Sequence, residues 1–143
     1  MARIEKVVVD ASVLIKWYNL EDDSEKALQL RTDYASRRVE LVAPYLITYE
    51  IANSLRYNPD FGAEDVKSAI TDLINMQLSL QPPDVTQMQR ATDLAFRYGI
   101  TIYDAAYLAL AEMSEIPFYT ADEKLVLKAA EARIRHIHEY GNS

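Results

Sequence analysis

Four acidic residues, Asp10, Glu50, Asp104 and Asp122, stand at intervals along a chain that has no cysteine and only 2 histidines. Carboxylates brought together repel one another when ionised, and a hard divalent cation relieves that repulsion. A ligand set of oxygens alone, with no thiolate and no imidazole, selects Mg²⁺ or Mn²⁺ over zinc. Such a site suits phosphodiester hydrolysis, because the ion lowers the pKa of water and a neighbouring carboxylate can take the proton.

Each acid also has a bland explanation. Asp10 directly follows Val7-Val8-Val9, at the carboxyl end of an expected strand, but Asp is also a favoured helix N-cap. Glu50 is harder to dismiss. At about 100° per residue, with Leu46 at zero, Ile47, Ser54, Ile51 and Leu55 sweep one half of a helix, and Glu50 falls inside that arc at about 40°. A carboxylate on an apolar face is costly unless a cation or donors compensate it, and Arg56 and Lys16 are the candidate basic partners. Asp104 opens the run Asp104-Ala-Ala-Tyr-Leu-Ala-Leu-Ala-Glu112, a helix expected to be buried on most sides, where capping is the plain alternative. Asp122 lies inside Thr120-Ala-Asp-Glu123, a match to the Thr-x-x-Glu capping box, so Thr120 is expected to cap and Asp122 to sit in the first turn.

The elements that must position these residues follow from patterning. Ile4–Val9, Glu40–Ala43, Leu78–Gln81, Pro117–Tyr119 and Arg135–His138 are expected strands. Expected helices cover Ala11–Tyr18, Ser24–Arg38, Pro44–Tyr57 with Pro44 at the first position, and Ala63–Met76. A further helix, capped by Asp84 and stopped by Gly99, runs to Tyr98, and others cover Tyr103–Ser114 and Ala121–Arg133. Strands alternating with helices imply an α/β three-layer sandwich with a central, mainly parallel sheet. In such a sheet, ligands bind beyond the carboxyl ends of the strands.

The chain has 143 residues, half of them apolar, which suits one domain over residues 1–143. With 3 glycines, at Gly62, Gly99 and Gly141, it has neither a P-loop nor a dinucleotide-binding fingerprint. The apolar stretch before Asp10 is too short for a signal sequence or a membrane span, and the lack of cysteine suits a cytoplasmic setting. The net charge of −7 argues against nonspecific coating of nucleic acid but not against a site that carries cations. His136 and His138 lack a third ligand nearby and are expected to be ordinary surface or sheet residues. Trp17 is a core candidate that can alternatively line a partner groove. Tyr45, Tyr49, Tyr57, Tyr98, Tyr103 and Tyr107 fall in or beside helices and are expected mostly in the core or an interface. Lys124 and Lys128 form an i, i+4 pair on what should be a solvated face, within reach of a phosphate.

Four stretches, Val7-Val-Val-Asp10-Ala-Ser12, Thr48-Tyr-Glu50-Ile-Ala-Asn53-Ser-Leu55, Thr101-Ile-Tyr-Asp104-Ala-Ala-Tyr107-Leu-Ala-Leu-Ala111-Glu and Tyr119-Thr120-Ala-Asp122-Glu-Lys-Leu125, together resemble the PIN-domain family. The nearest resemblance is to the VapC-type toxin ribonucleases of toxin–antitoxin pairs, and it covers the whole chain. It implies an acidic pocket at one sheet edge formed by Asp10, Glu50, Asp104 and Asp122, with Ser12 and Thr120 as supporting hydroxyls. It further implies Mg²⁺- or Mn²⁺-dependent cleavage of RNA, a homodimer, and a VapB-type antitoxin. Three other readings stay open: a PIN nuclease of RNA processing or decay outside any toxin pair, a binding module without catalysis, and a carboxylate-metal phosphatase.

Overall fold

The computed structural model describes residues 4–130 and 133–142. Its centre is a sheet of five parallel strands: β1 (Glu5–Val9), β2 (Val39–Pro44), β3 (Ser79–Gln81), β4 (Phe118–Thr120) and β5 (Ile134–His136), in the order β3-β2-β1-β4-β5. Val7, Val8 and Val9 are all buried, as are Phe118, Tyr119 and Thr120. Successive strand residues point to opposite faces, so the sheet is covered on both, as the three-layer expectation requires.

The covering helices are α1 (Ala11–Leu14), α2 (Ser24–Ala35), α3 (Leu46–Arg56), α4 (Ala63–Asn75), α5 (Val85–Tyr98), α6 (Ile102–Ser114) and α7 (Glu123–Lys128). Helix α6 packs on β1 and β2 with α5 against it, α2 packs on β2, and α7 on β5. The run Ala105–Ala111 of α6 is buried throughout, which is why its sequence carries almost no polar residue.

The topology fixes where a ligand can bind. From β1 the chain steps outward to β2 and β3, then returns to the other side of β1 for β4 and β5. The direction of winding reverses between β1 and β4, and the crevice beyond the carboxyl ends at such a point is the natural site. Asp10 follows β1 and Thr120 ends β4, with Val9 paired to Tyr119 in register.

Several expected boundaries move. Pro44 ends β2 rather than starting a helix; it stands opposite Gln81, and the ladder continues through the Tyr45 N–H to the Gln81 carbonyl at 3.1 Å, so no proline N–H is needed. The expected helix over Ala11–Tyr18 is α1 followed by a 3₁₀ turn at Ile15–Trp17. Helix α2 stops before Arg38 because Arg37 takes a left-handed φ of 60°. Helix α7 starts at Glu123, two residues late, and ends at Lys128, where Ala129 leaves the helical region; part of its expected extension to Arg133 lies outside the described residues. The last strand ends at His136, because a 3₁₀ turn over Ile137–Glu139 follows, capped by the His136 ring accepting from the His138 N–H at 3.1 Å. Asp84 caps α5 by accepting from the Gln87 N–H at 2.7 Å, and Gly99 closes it with φ 64°, as the sequence leads one to expect.

Candidate active site

Asp10 occupies the N-cap position of α1, yet its side chain makes no capping hydrogen bond. The Ser12 hydroxyl donates to its Oδ1 at 2.5 Å and the Thr120 hydroxyl to its Oδ2 at 2.6 Å. Both hydroxyls are themselves held: Ser12 Oγ accepts from the Ala121 N–H at 2.8 Å, and Thr120 Oγ1 from the Asp122 N–H at 3.1 Å. The end of β1 is thereby tied to the end of β4. Asp10 is only 6% exposed. Burial pushes its pKa up to about 7, the two hydroxyls pull it down, and the charges of Asp104 and Glu50 add to the rise.

Glu50 projects from α3 and is half-buried, as its place in the apolar arc requires. Neither Arg56 nor Lys16 compensates it. Lys16 donates to Glu21 Oε1 at 3.0 Å and the Asp22 carbonyl at 2.6 Å; Arg56 lies over the Tyr57 ring at 5.3 Å. The partner of Glu50 is the Tyr107 hydroxyl, which donates to Oε1 at 2.5 Å. Burial raises the Glu50 pKa, that hydrogen bond lowers it, and the Asp104 charge raises it again.

Asp104 is not the cap of α6. Thr101 is, accepting from the Asp104 N–H at 3.0 Å. The Asp104 pKa is raised by burial and then by the charge of Asp122, and lowered by a hydrogen bond with Thr101 and by Lys128. The expected roles of Thr120 and Asp122 are exchanged. Thr120 lies in β4 with its hydroxyl on Asp10, so Asp122 caps α7, its Oδ1 accepting from the Leu125 N–H at 3.1 Å.

Asp10, Glu50 and Asp104 therefore interact as one electrostatic cluster, and Asp122 joins it through Asp104. Among the described residues, no group of three or more His, Asp or Glu side chains is gathered closely enough to hold a metal ion by itself. The donors nevertheless fit a hard divalent ion in kind and in charge: they are carboxylates, and burial, followed by the charges of neighbouring acids, disfavours the ionised forms of Asp10, Glu50 and Asp104. Mg²⁺ keeps several waters and is commonly held by one or two carboxylates together with substrate phosphates, so a closed cage is not what it needs. A cavity of about 640 Å³ reaches the supporting residues Ser12 and Ala121 and is otherwise lined by Lys16, Ser54, Tyr57 and Asp60 among others, with none of the four acids in its wall.

The PIN-domain family matches residues 7–131 of the sequence. The chain belongs to the PIN-domain family. This PIN domain is similar to Ribonuclease VapC3 of Pyrobaculum aerophilum, 32% identical over 127 residues that cover 86% of this chain and 94% of that protein. It is similar to Exonuclease VapC9 of the same organism at 28% identity over 121 residues, 85% of this chain and 84% of that one. Its fold resembles the crystal structure of the sarcin-ricin loop cleaving toxin VapC20 of Mycobacterium tuberculosis, with a TM-score of 0.65 at 14% identity, covering 85% of this chain and 93% of that one.

Other singled-out residues fall into place around this site. Trp17 is core, buried and donating through Nε1 to the Ala27 carbonyl at 2.7 Å, so it lines no partner groove. Tyr45, Tyr49, Tyr57 and Tyr103 are exposed rather than in the core, and three of them, Tyr45, Tyr49 and Tyr103, wall one apolar groove with Leu46, Met88 and Ile102. His136 is buried, with Nε2 at 3.2 Å from the Ala121 carbonyl. Lys124 and Lys128 are exposed, as a solvated face requires. The residue that pattern reasoning missed is Tyr107. Its signal was a phenol inside a wholly apolar helical run, where a buried hydroxyl needs a partner.

Proposed function

We propose that this PIN domain is a Mg²⁺- or Mn²⁺-dependent endoribonuclease, the toxin of a VapBC-type pair, with Asp10, Glu50, Asp104 and Asp122 as its acidic site. One observation carries the reading. A carboxylate that is 6% exposed, held by two hydroxyls and raised to about 7 by burial stands at the carboxyl ends of β1 and β4, with Glu50 and Asp104 acting on it. Buried charge of one sign is unfavourable without compensation, and a divalent ion is the compensation that this donor set fits.

Asp10 with one of Glu50 and Asp104 would hold the ion, water and substrate phosphate completing its shell, and Asp122, whose charge acts on Asp104, would be a further acid of the site. When bound, the ion supplies hydroxide near neutral pH and charge stabilisation for the phosphate. Ser12 and Thr120 fix both oxygens of Asp10, so the carboxylate cannot rotate away. A carboxylate of the cluster would accept the proton of the attacking water. Lys128, whose charge acts on Asp104 from the exposed face of α7, is placed to meet an RNA phosphate. The names of VapC3 and VapC20 support RNA as substrate and a toxin's role, and the role brings with it an antitoxin of the VapB type. A homodimer accords with the exposed apolar groove of Tyr45, Tyr49 and Tyr103, and light scattering on the purified protein reads it directly.

The test is cleavage of a circular RNA by purified protein with Mn²⁺. A circle has no end, so linear product means endonucleolytic cutting, whereas the exonuclease activity named for VapC9 leaves it intact. Cleavage is expected with metal and absent with EDTA or with Asp10→Asn. Equal cleavage in both controls overturns the reading.

A further inference from the structure

Tyr107 lies one helical turn after Asp104 on α6, with 1% of its surface exposed. Its ring stacks on Phe118 of β4, centroids 5.8 Å apart and planes 10° from parallel. Phe118 stands opposite Val8, two residues before Asp10. The ring is thus clamped between a buried helix and the strand that ends at the acids. From that anchorage the hydroxyl crosses to a third element and donates to Oε1 of Glu50 on α3 at 2.5 Å. The hydroxyl is hydrogen-bonded to Glu50, and the charges of Asp10 and Asp104 act on it as well.

Packing alone does not require this arrangement. A phenylalanine would fill the same slot and stack on Phe118 equally well. A phenol keeps its proton at neutral pH and donates in one direction from a rigid ring. Glu50, by contrast, is half-buried on a side chain with three rotatable bonds, and no salt bridge among the described residues holds it.

We infer that Tyr107 is a positioning residue: by donating to Oε1 of Glu50 it fixes the orientation of that carboxylate and leaves Oε2 to the divalent ion. The inference rests on the metal-dependent reading of the site. Partners that orient a ligand in this way typically change metal affinity or activity by about 10- to 100-fold.

The experiment is titration of Mn²⁺ into wild type, Tyr107→Phe, Glu50→Gln and the double variant, reading free Mn²⁺ by electron paramagnetic resonance, alongside RNA cleavage kinetics. Tyr107→Phe keeps the ring and its stack, and circular dichroism verifies the fold. The expected result is a loss of Mn²⁺ affinity of about 10-fold or more and a fall in kcat of about 10- to 100-fold, with KM for RNA unchanged. In the Glu50→Gln background, Tyr107→Phe should cause no further loss, because the charged carboxylate that the hydroxyl orients for the ion is already gone. Wild-type Mn²⁺ affinity in Tyr107→Phe, or additive losses in the double variant, overturns the inference and leaves the nuclease reading standing. A wild-type protein that takes up no Mn²⁺ overturns both.

Discussion

The Thr120 hydroxyl donates to Oδ2 of Asp10 at 2.6 Å across 110 residues of sequence. It also accepts from the Asp122 N–H at 3.1 Å, so one fully buried oxygen serves two of the four acids. Thr120→Val keeps the shape and removes both bonds. Its kcat for RNA is expected to fall about 10- to 100-fold. Its stability should drop by about 1–3 kcal/mol, because a buried carboxylate oxygen and an N–H lose their partners. Thr120→Ser restores the hydroxyl and should recover most of both. Thermal melts and cleavage kinetics on the three proteins check this.

The raised carboxylates give metal-free stability a definite pH dependence. Asp10 binds its proton more tightly folded, with a pKa of about 7, than unfolded, near 3.8. Its contribution to stability is therefore fully present below about pH 4 and is lost as pH rises through 7. Glu50 and Asp104 are shifted in the same direction. The metal-free protein should lose stability steadily from about pH 4 to pH 8, and Mn²⁺ should restore it most at the alkaline end. Asp10→Asn should flatten much of the slope and melt several degrees above wild type at pH 8 without metal. Calorimetry across that range reads it.

Lys128 lies exposed beyond Asp122, and its charge lowers the pKa of Asp104. Lys128→Ala should raise KM for RNA, with the salt slope of binding reduced by about 1. Without that charge Asp104 holds its proton to higher pH, so the acid limb of the pH–rate profile should move up. Lys6 is the control: it sits at the amino end of β1, the far end from the site, paired with Glu40 at 3.9 Å, and Lys6→Ala should leave KM unchanged.

Asp122 holds two roles that substitutions can separate. Asp122→Asn keeps an acceptor for the Leu125 N–H and should melt like wild type, whereas Asp122→Ala loses the cap and about 1 kcal/mol. Both remove the charge, so both should lose RNA cleavage. If Asp122→Asn cleaves at the wild-type rate, the fourth acid is only a cap.

The same residues mark what could be read in advance. The parallel α/β sheet was legible because Val7-Val8-Val9 and its counterparts are short apolar runs alternating with helical ones. Glu50 was legible because helical phase places it among apolar neighbours. Its partner was not: Tyr107 reads as core by pattern, and the hydrogen bond joins residues 57 positions apart. The capping box at Thr120 misled for a local reason. Strand β4 pairs with β1 up to Tyr119 and with β5 through Thr120, which keeps Thr120 extended with its hydroxyl on Asp10 and outweighs the helical signal of Thr-x-x-Glu. The exposure of Tyr45, Tyr49 and Tyr103 was hidden as well, since tyrosine suits core and surface alike and only packing decides.

The most direct test of the account is a crystal of the protein soaked in Mn²⁺, with anomalous diffraction collected at the manganese edge. An anomalous peak bonded to oxygens of Asp10 and at least one of Glu50 and Asp104, at about 2.0–2.3 Å, is expected, together with its loss in Asp10→Asn crystals. A peak elsewhere on the protein, or none at saturating Mn²⁺, contradicts it.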